Sequence, residues 1–383
     1  MSVAVTVQPE ILKWARQRIG LDPHSLAQYL RLNNTSELNN WENTGNISLS
    51  KLEKIAQKAY VPIGYFFLNS PPKDDLPIQD FRRAFGTERK NASPELIDCI
   101  NNIQFLKDWY EQKMIENMSD PLHFVGSVNL KSKPQDVANL IRSTLTIDGT
   151  TFHSNENWEE SLRLFVKIVE NAGILIMRSG IVGNNTHRKL DVAEFRGFTL
   201  VSNYSPIIFI NSSDSKSAQM FTLAHELVHV WLGQSGVSNL TFDDNNHIEK
   251  FCNEVASEIL VPNSLFEVEW QNNDNKLNEI KRIAKKYKVS SLVILIKALQ
   301  NGFISTQTFD ELYDQETACV GGNRKQSSGG DFYLTQGVRL SRNFISAVVL
   351  DTYEGKTTYV EAFKLLGIRK SATFKRMAEL VTY

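Results

Sequence analysis

One short segment of this 383-residue chain constrains both its fold and its chemistry: Phe221 to Gly233, which reads FTLAHELVHVWLG. Its nearly continuous apolar residues predict a buried helix, and Gly233 provides the helix end. His225 and His229 are four positions apart, so both imidazoles project from one face of the helix and can share a metal ion. Glu226 lies about 100° round the helix from His225. The spacing predicts two metal ligands with a carboxylate beside them, where a general base for a bound water belongs.

The third ligand of a catalytic zinc site must come from elsewhere in the chain, because such a site uses three protein ligands and an open position. The apolar pattern predicts a second helix from Ile248 to Leu260, and Glu249 lies near its start. We predict Glu249 as the third ligand, arriving from an adjacent, roughly antiparallel helix. Asn253 lies one turn further along the same face and is predicted to orient the Glu249 carboxylate.

Other side chains compete for the position of third ligand. His247 is the main rival, but we expect it to lie just before the helix, where its direction is poorly fixed. Glu254 and Glu258 are weaker candidates because they project about 140° and 180° away from Glu249. An HExxH sequence also occurs by chance. Its place in an apolar helix, with a strand before it and an acidic helix after it, favours the metal site.

The run from about Gly173 to Pro262 resembles the ImmA/IrrE metallopeptidases. Their pattern is a short strand, an asparagine, FTLAHELxH and then E-x-x-x-N-x-x-A-x-x-L-L-x-P. The matching positions here are Asn211, Phe221 to His229, Glu249, Asn253, Ala256, Leu260 and Pro262. Ile259 stands where leucine is usual and Cys252 where alanine is common, and both replacements are small.

The resemblance implies a zinc endopeptidase of the gluzincin kind. It assigns His225, His229 and Glu249 as zinc ligands and Glu226 as the general base.

The first seventy residues are predicted to form a bundle of short helices of the helix-turn-helix type. Apolar residues recur at helical spacing from Ile11 to Ile19, and Thr35 is a good N-cap for a third helix. Trp41-Glu42, Gly45 and the following Leu52 to Ala56 resemble the XRE-type domain that many ImmA/IrrE proteins carry ahead of the peptidase.

Two functions are open for this amino-terminal bundle. Its third helix carries asparagines that can read adenine edges, but it has no Arg or Lys. Residues 1–70 contain seven basic and five acidic side chains, a small surplus for binding phosphates. The bundle either binds DNA or serves for dimerisation or recognition of a partner repressor.

The chain as a whole is predicted to be α+β, with a gluzincin-like peptidase core flanked by helical modules. After the bundle at 1–70 we expect a proline-rich linker at 71–93 and a helical connecting region at 94–157. The peptidase domain is predicted at 158–300. A carboxy-terminal helical module follows at 301–383 and contains the glycine-rich linker 321–330.

Composition limits the setting in which such a protein works. A net charge of −1 predicts no general attraction to nucleic acid or anionic membrane. The three cysteines are widely spaced, which is typical of a reducing compartment. No stretch has the pattern of a secretory signal or the length of a membrane span, so we expect a cytoplasmic protein without a membrane partner.

The substrate would enter as an extended peptide paired with an edge strand. Pro206 to Asn211 is the candidate edge, although the same residues also suit a buried core strand. A second electrophile would come from Tyr204, His187, Arg188 or Arg196, and Arg196 suits a structural ion pair equally well.

These features lead to two hypotheses about function. The first is an intracellular zinc endopeptidase that regulates transcription, a mobile element or a stress response by cleaving a partner protein such as a helix-turn-helix repressor or antitoxin-like protein. The alternative is a non-catalytic DNA-binding regulator or antitoxin that uses the peptidase scaffold for sensing or interaction.

Overall fold

The computed structural model describes residues 3–72, 76–81, 92–149, 151–152, 157–238, 246–271, 273, 275–320 and 339–382, without the side chains of 317–320, 380 and 382. Much of the predicted linker 71–93 and all of the glycine-rich segment 321–330 lie outside these residues. The chain divides into two compact units. One contains residues 1–77 and 88–101, and the other contains residues 78–87 and 102–383.

The first unit contains the short helices that the sequence predicts. They are α1 (Pro9–Arg18), α2 (Pro23–Tyr29), α3 (Thr35–Thr44), α4 (Leu49–Ala59) and a short 3₁₀ helix (Ile63–Phe67). Their apolar faces enclose one core. The sequence missed two strands, β1 (Ala4–Thr6) and β2 (Asn46–Ser48), which pair in antiparallel fashion. Three-residue strands give too short a pattern to be recognised from sequence.

Helix α3 is bounded by its two caps. Asn34, not Thr35, is the N-cap, and its side-chain oxygen accepts a hydrogen bond from the Ser36 N–H at 3.0 Å. Gly45 ends the helix with a φ of 72°. A Cβ at this position would lie 1.9 Å from the Val7 carbonyl oxygen, so only glycine allows the chain to enter β2 there.

The second unit is built on a five-stranded sheet. Its strands are β3 (Gln79–Asp80), β4 (Leu175–Ser179), β5 (Gly197–Leu200), β6 (Ile207–Asn211) and β7 (Gly236–Ser238), in the order β3-β7-β5-β6-β4. β5 is antiparallel to its neighbours β6 and β7, whereas β4 pairs with β6 and β3 with β7 in parallel.

The edge-strand hypothesis for Pro206 to Asn211 is wrong. Ile207–Asn211 form β6, which lies between β5 and β4, and all five of its residues are buried. Its unbroken run Ile-Ile-Phe-Ile is typical of a strand covered on both faces. The core alternative is therefore confirmed.

Helices precede and follow these strands in the chain, and α7 and α8 pack on the sheet, which confirms the α+β class. In chain order they are α5 (Pro94–Glu116), α6 (Pro134–Thr144), α7 (Trp158–Asn171), α8 (Lys216–Leu232), α9 (His247–Leu260), α10 (Asn263–Glu269), α11 (Lys276–Tyr287), α12 (Ser291–Gln300) and α13 (Thr306–Val320). Every residue of α8 from Gln219 to Trp231 is buried, and α8 packs against α7, α9, β5 and β6. The HELVH segment thus lies at the centre of this unit.

The last helices are α14 (Arg342–Tyr353), α15 (Tyr359–Leu365) and α16 (Ser371–Thr382). They belong to the same compact unit as the sheet. The Ser341 N–H lies 3.3 Å from the Met177 sulfur of β4, and Asn343 donates to the Glu170 carbonyl at 2.7 Å. Within the described residues, no helix combines the length and the apolar character that crossing a bilayer requires.

Candidate metal centre

Two capped helices carry the predicted ligands. Helix α8 follows Ser215, whose hydroxyl accepts a hydrogen bond from the first turn at 3.2 Å, and it ends at Gly233 with a φ of 69°. Helix α9 follows Asn246, whose side-chain oxygen accepts from the Glu249 N–H at 3.3 Å. Such caps provide hydrogen-bond partners for the otherwise unpaired amides of a first turn. The cap on α9 therefore fixes the turn that contains Glu249.

The structure brings His225, His229 and Glu249 together in the interior. The two Nε2 atoms of His225 and His229 are 3.2 Å apart. Glu249 Oε2 lies 3.2 Å from Nε2 of His225, and Glu249 Oε1 lies 3.2 Å from Nε2 of His229. Both histidines have no exposed surface, and Glu249 is only 4% exposed. Two ring nitrogens and the two oxygens of one carboxylate thus face one another, and each of these three contacts measures 3.2 Å.

This spacing fits a zinc ion. Nitrogen and oxygen ligands lie about 2.0–2.1 Å from zinc, and at tetrahedral angles such ligands are about 3.3 Å from one another. The observed separations are 3.2 Å. Glu249 Oε1 lies 3.2 Å from Nε2 of His229 and is buried without a hydrogen-bond partner. A cation held between the three side chains would satisfy this buried oxygen.

The electrostatics of the cluster also suit a cation. Burial by itself would raise the pKa of Glu249, but the two neighbouring histidines outweigh burial and hold this pKa at about 2. Burial lowers the pKa of His225, yet the adjacent Glu249 carboxylate reverses the balance, and the net shift is upward. The Glu249 carboxylate is therefore ionised. The space between it and the two histidine nitrogens favours a positive charge.

Glu226 lies beside this cluster, held by a residue that the sequence analysis did not identify. Thr199 of β5 places its hydroxyl 2.7 Å from Glu226 Oε2 and 3.2 Å from the Glu226 carbonyl oxygen. The other carboxylate oxygen, Oε1, is buried without a hydrogen-bond partner. Burial raises the pKa of Glu226, partly opposed by the charges of His229 and His225. A carboxylate in this state can accept a proton.

Gly197 leaves the space that Glu226 occupies. A Cβ on Gly197 would lie 2.9 Å from Glu226 Oε1 and 3.0 Å from the Phe209 carbonyl oxygen. The strand β5 therefore supports the Glu226 carboxylate in two ways, with a hydroxyl at Thr199 and with the absence of a side chain at Gly197. The short run Phe195 to Val201 predicts a strand, but it gives no signal for either role.

Asn253 orients a different residue from the one predicted. Its Oδ1 lies 2.9 Å from Nδ1 of His225, so it contacts the imidazole and not the Glu249 carboxylate. Because a carbonyl oxygen can only accept, Nδ1 of His225 carries a proton, and Nε2 is the nitrogen whose lone pair a metal in the cluster would bind. Helix geometry placed Asn253 on the correct face but could not show which ligand it touches.

The rival ligands occupy other environments. His247 is the first residue of α9, not a residue before it, and it is exposed. Glu258 is buried in another contact, where its Oε2 accepts from Lys297 at 2.8 Å.

Among the candidate electrophiles, Arg196 forms an ion pair with Asp214 at 3.0 Å, which confirms the structural alternative for that residue. The choice of electrophile among Tyr204, His187 and Arg188 stays a prediction.

Cys252 is a neighbour that the sequence analysis treated as a harmless replacement. Its sulfur lies with His225 and His229 in a buried group whose ligand-type atoms are within 4.8 Å of one another. Burial, reinforced by the nearby charges of Glu249 and Glu226, raises the pKa of the Cys252 thiol far above its ordinary value. A metal binds the thiolate form, which this environment opposes. Glu249, which is already ionised, therefore stays the predicted third ligand.

An aromatic ring covers the cluster on the side of β3. Phe81 immediately follows that strand and stacks on His229, with ring centroids 5.2 Å apart and an angle of 19° between the planes. Phe81 is 4% exposed. It belongs to the predicted linker 71–93, in which the sequence analysis found no functional residue.

Comparison with known proteins supports part of the sequence interpretation. A search of curated proteins finds no match to this chain. Residues 340–380, which contain α14, α15 and most of α16, match the family model of a domain of unknown function, DUF8813. Residues 169–299 match the family model Peptidase_M78, described as the IrrE N-terminal-like domain. This part of the chain, which includes α8 and α9, therefore has a metallopeptidase-like domain and supports the resemblance to the ImmA/IrrE family.

Proposed function

We propose that this protein is a zinc-dependent endopeptidase that cleaves a partner protein. The single observation that carries the proposal is the set of mutual 3.2 Å separations among His225, His229 and Glu249, with Glu226 beside them. His225, His229 and Glu249 would hold the zinc. When bound, zinc would polarise the scissile carbonyl of the substrate and lower the pKa of a water molecule.

The protein's own residues provide the proton transfers. Thr199 holds Glu226 Oε2, so Oε1 is the oxygen available to take a proton from the attacking water. As the water oxygen bonds to the scissile carbonyl carbon and the C–N bond breaks, the same proton passes from Glu226 to the leaving amine. Asn253 keeps His225 in the tautomer in which Nε2 can act as a ligand.

Zinc content and hydrolysis together test this proposal. We expect one zinc per purified chain, and a Glu226→Gln variant that keeps zinc but hydrolyses labelled casein at least about 100-fold more slowly, since a general base contributes at least that factor. Glu254→Gln is the matched control, because Glu254 is on α9 and is only half-buried. A wild-type protein without stoichiometric zinc would rule out the metal site. Equal hydrolysis by wild type and Glu226→Gln would rule out the role of Glu226.

The partner is proposed to be a helix-turn-helix repressor or an antitoxin-like protein, recognised through the helix-turn-helix-like bundle of residues 1–70. The charges of this bundle favour a protein partner over DNA. Arg16 is paired with Glu42 at 2.7 Å, Arg18 donates to the Ala59 carbonyl, and Lys51 donates to the Leu30 carbonyl. Three of the seven basic side chains therefore already have partners inside the unit.

Two measurements test the partner. Incubation with a small helix-turn-helix protein encoded beside this chain should give cleavage by wild type and none by Glu226→Gln. A mobility shift over a salt series tests DNA, because phosphate contacts make affinity fall steeply with salt. Tight binding with a steep salt slope would contradict the preference for a protein partner.

The alternative function, a non-catalytic sensor built on the peptidase scaffold, has one observation in its favour. His225, His229 and Glu226 have no exposed surface. A substrate carbonyl cannot reach them in this conformation. A Glu226→Gln variant with wild-type behaviour in the cell would establish this alternative.

A further inference from the structure

The strand β3, which lies at one end of the five-stranded sheet, comes from the segment that was predicted to be a linker, residues 71–93. β3 consists of only Gln79 and Asp80, and it pairs in parallel with Gly236 and Val237 of β7. The Phe81 N–H then donates to the Val237 carbonyl at 3.0 Å. Without this segment, β7 would be the edge of the sheet, because its other neighbour is β5.

Phe81 anchors this strand. The side chains of Gln79 and Asp80 are exposed, whereas Phe81 is 4% exposed and stacks on His229. Gly236 makes room for the ring, since a Cβ there would lie 2.0 Å from Cε2 and 2.2 Å from Cδ2 of Phe81. Gly236 therefore serves two functions at once: it pairs with β3, and it forms the flat surface under the phenyl ring.

The location of the segment matters for access. β7 pairs with β5, and β5 carries Thr199, which holds Glu226. An extended peptide commonly binds by adding a strand to such an edge. Here the edge is already filled, and the ring that follows it lies on a proposed zinc ligand. A peptide that approached by this edge would have to displace Gln79 to Phe81.

We propose that Gln79 to Phe81 is an inhibitory strand that occupies the peptide-binding edge of the resting enzyme. This inference rests on the proposed peptidase function. The true substrate is then an extended segment with a large aromatic residue at the position of Phe81, which competes for the edge of β7 and for the surface over Gly236 and His229.

The inhibitory strand is suited to reversible displacement. Two paired residues and one buried ring form a small contact, and it competes well only because it is tethered to the same chain. A substrate that offers a longer strand gains additional backbone hydrogen bonds. Release therefore needs no cleavage of the inhibitory strand.

Two variants from opposite sides of the contact test the proposal. Phe81→Ala removes the ring, and Gly236→Ala fills the space under it. We expect both variants to speed the removal of zinc by a chromogenic chelator at least ten-fold. Phe81→Ala should also raise kcat/KM for labelled casein at least ten-fold. Gly236→Ala should not raise it, because the added Cβ also fills the surface that the aromatic residue of the substrate needs. Phe67→Ala is the matched control, because Phe67 is 53% exposed and lies elsewhere in the chain.

A peptide added in trans gives a second readout. The peptide Leu-Pro-Ile-Gln-Asp-Phe, residues 76–81, should inhibit Phe81→Ala, and the same peptide with alanine in place of phenylalanine should inhibit at least ten-fold less well. If both variants bind zinc and lose it at the wild-type rate, and Phe81→Ala hydrolyses casein at the wild-type rate, the inhibitory strand is refuted while the peptidase stands. A wild-type protein without zinc would instead refute the proposed function.

Discussion

The contact between Asn253 and His225 gives a direct test of how the metal centre is organised. Asn253 Oδ1 accepts from Nδ1 of His225 at 2.9 Å, and the side chains are 7% and 0% exposed. In Asn253→Ala the Nδ1 proton loses its partner at a buried position. The imidazole can then move its proton to Nε2, and this nitrogen no longer offers a lone pair to zinc.

The magnitude follows from the role of such contacts. Removal of the group that orients a ligating histidine weakens metal binding by about 10–100-fold, which corresponds to about 1.4–2.7 kcal/mol. Both groups are buried here and Asn253 is the hydrogen-bond partner of Nδ1, so we expect a loss near the upper end. Asn253→Asp keeps an acceptor at the same position and should retain affinity within about ten-fold.

The assay is competition for zinc with a chelator of known affinity, with far-ultraviolet circular dichroism as a check of folding. It needs no substrate, so it is independent of the proposed partner. A folded Asn253→Ala protein with wild-type zinc affinity would refute the idea that Asn253 sets the tautomer of His225.

Three further expectations concern the neighbours of this contact. Glu249→Gln should lose stoichiometric zinc whereas Cys252→Ala keeps it, as metal analysis would reveal; the reverse result would make Cys252 the third ligand. Thr199→Val should keep zinc and lower kcat/KM by about 10–100-fold, because a hydrogen bond to a charged group contributes about 1.5–3 kcal/mol. Unchanged kinetics would show that Glu226 does not need the hydrogen bond from Thr199. In zinc-free protein the pKa of Glu249 is lowered from 4.5 to about 2. Its ionised form therefore stabilises the folded state by about 3 kcal/mol above pH 4.5. This contribution is lost as the pH falls from 4.5 toward 2. Thermal unfolding of wild type and Glu249→Gln at several pH values measures the loss, and a constant difference in Tm between pH 6 and pH 3 would contradict it.

Local pattern was enough for some elements of the fold. Gly233 and Pro262 predict the ends of α8 and α9 correctly, since a helix end depends on residues within one turn of it. The mainly apolar runs Gly173 to Met177, Phe195 to Val201 and Pro206 to Asn211 predict the strands β4, β5 and β6 to within two residues. The strands β3 and β7, with two and three residues, carry no comparable pattern and were missed.

The order of the strands in the sheet could not be predicted from local sequence pattern. The residues Pro206 to Asn211 suit an edge strand and a core strand equally well. Only the neighbouring strands β4 and β5 show that β6 lies in the interior of the sheet. The same limit applies to Asp80 and Phe81, which follow a proline-rich stretch typical of a linker. Their pairing with β7 depends on residues about 150 positions later in the chain.

The sequence alone determined the composition of the candidate site. The four-residue spacing of His225 and His229 and the position of Glu249 at a helix start are properties of the helix period, so they follow from the order of residues. Only the tertiary structure decided which groups support them. Four supporting contacts were not predicted: Thr199 with Glu226, Asn253 with His225, Cys252 near the two histidines, and Phe81 over His229. Such contacts depend on the packing of whole helices and strands, which no local spacing records.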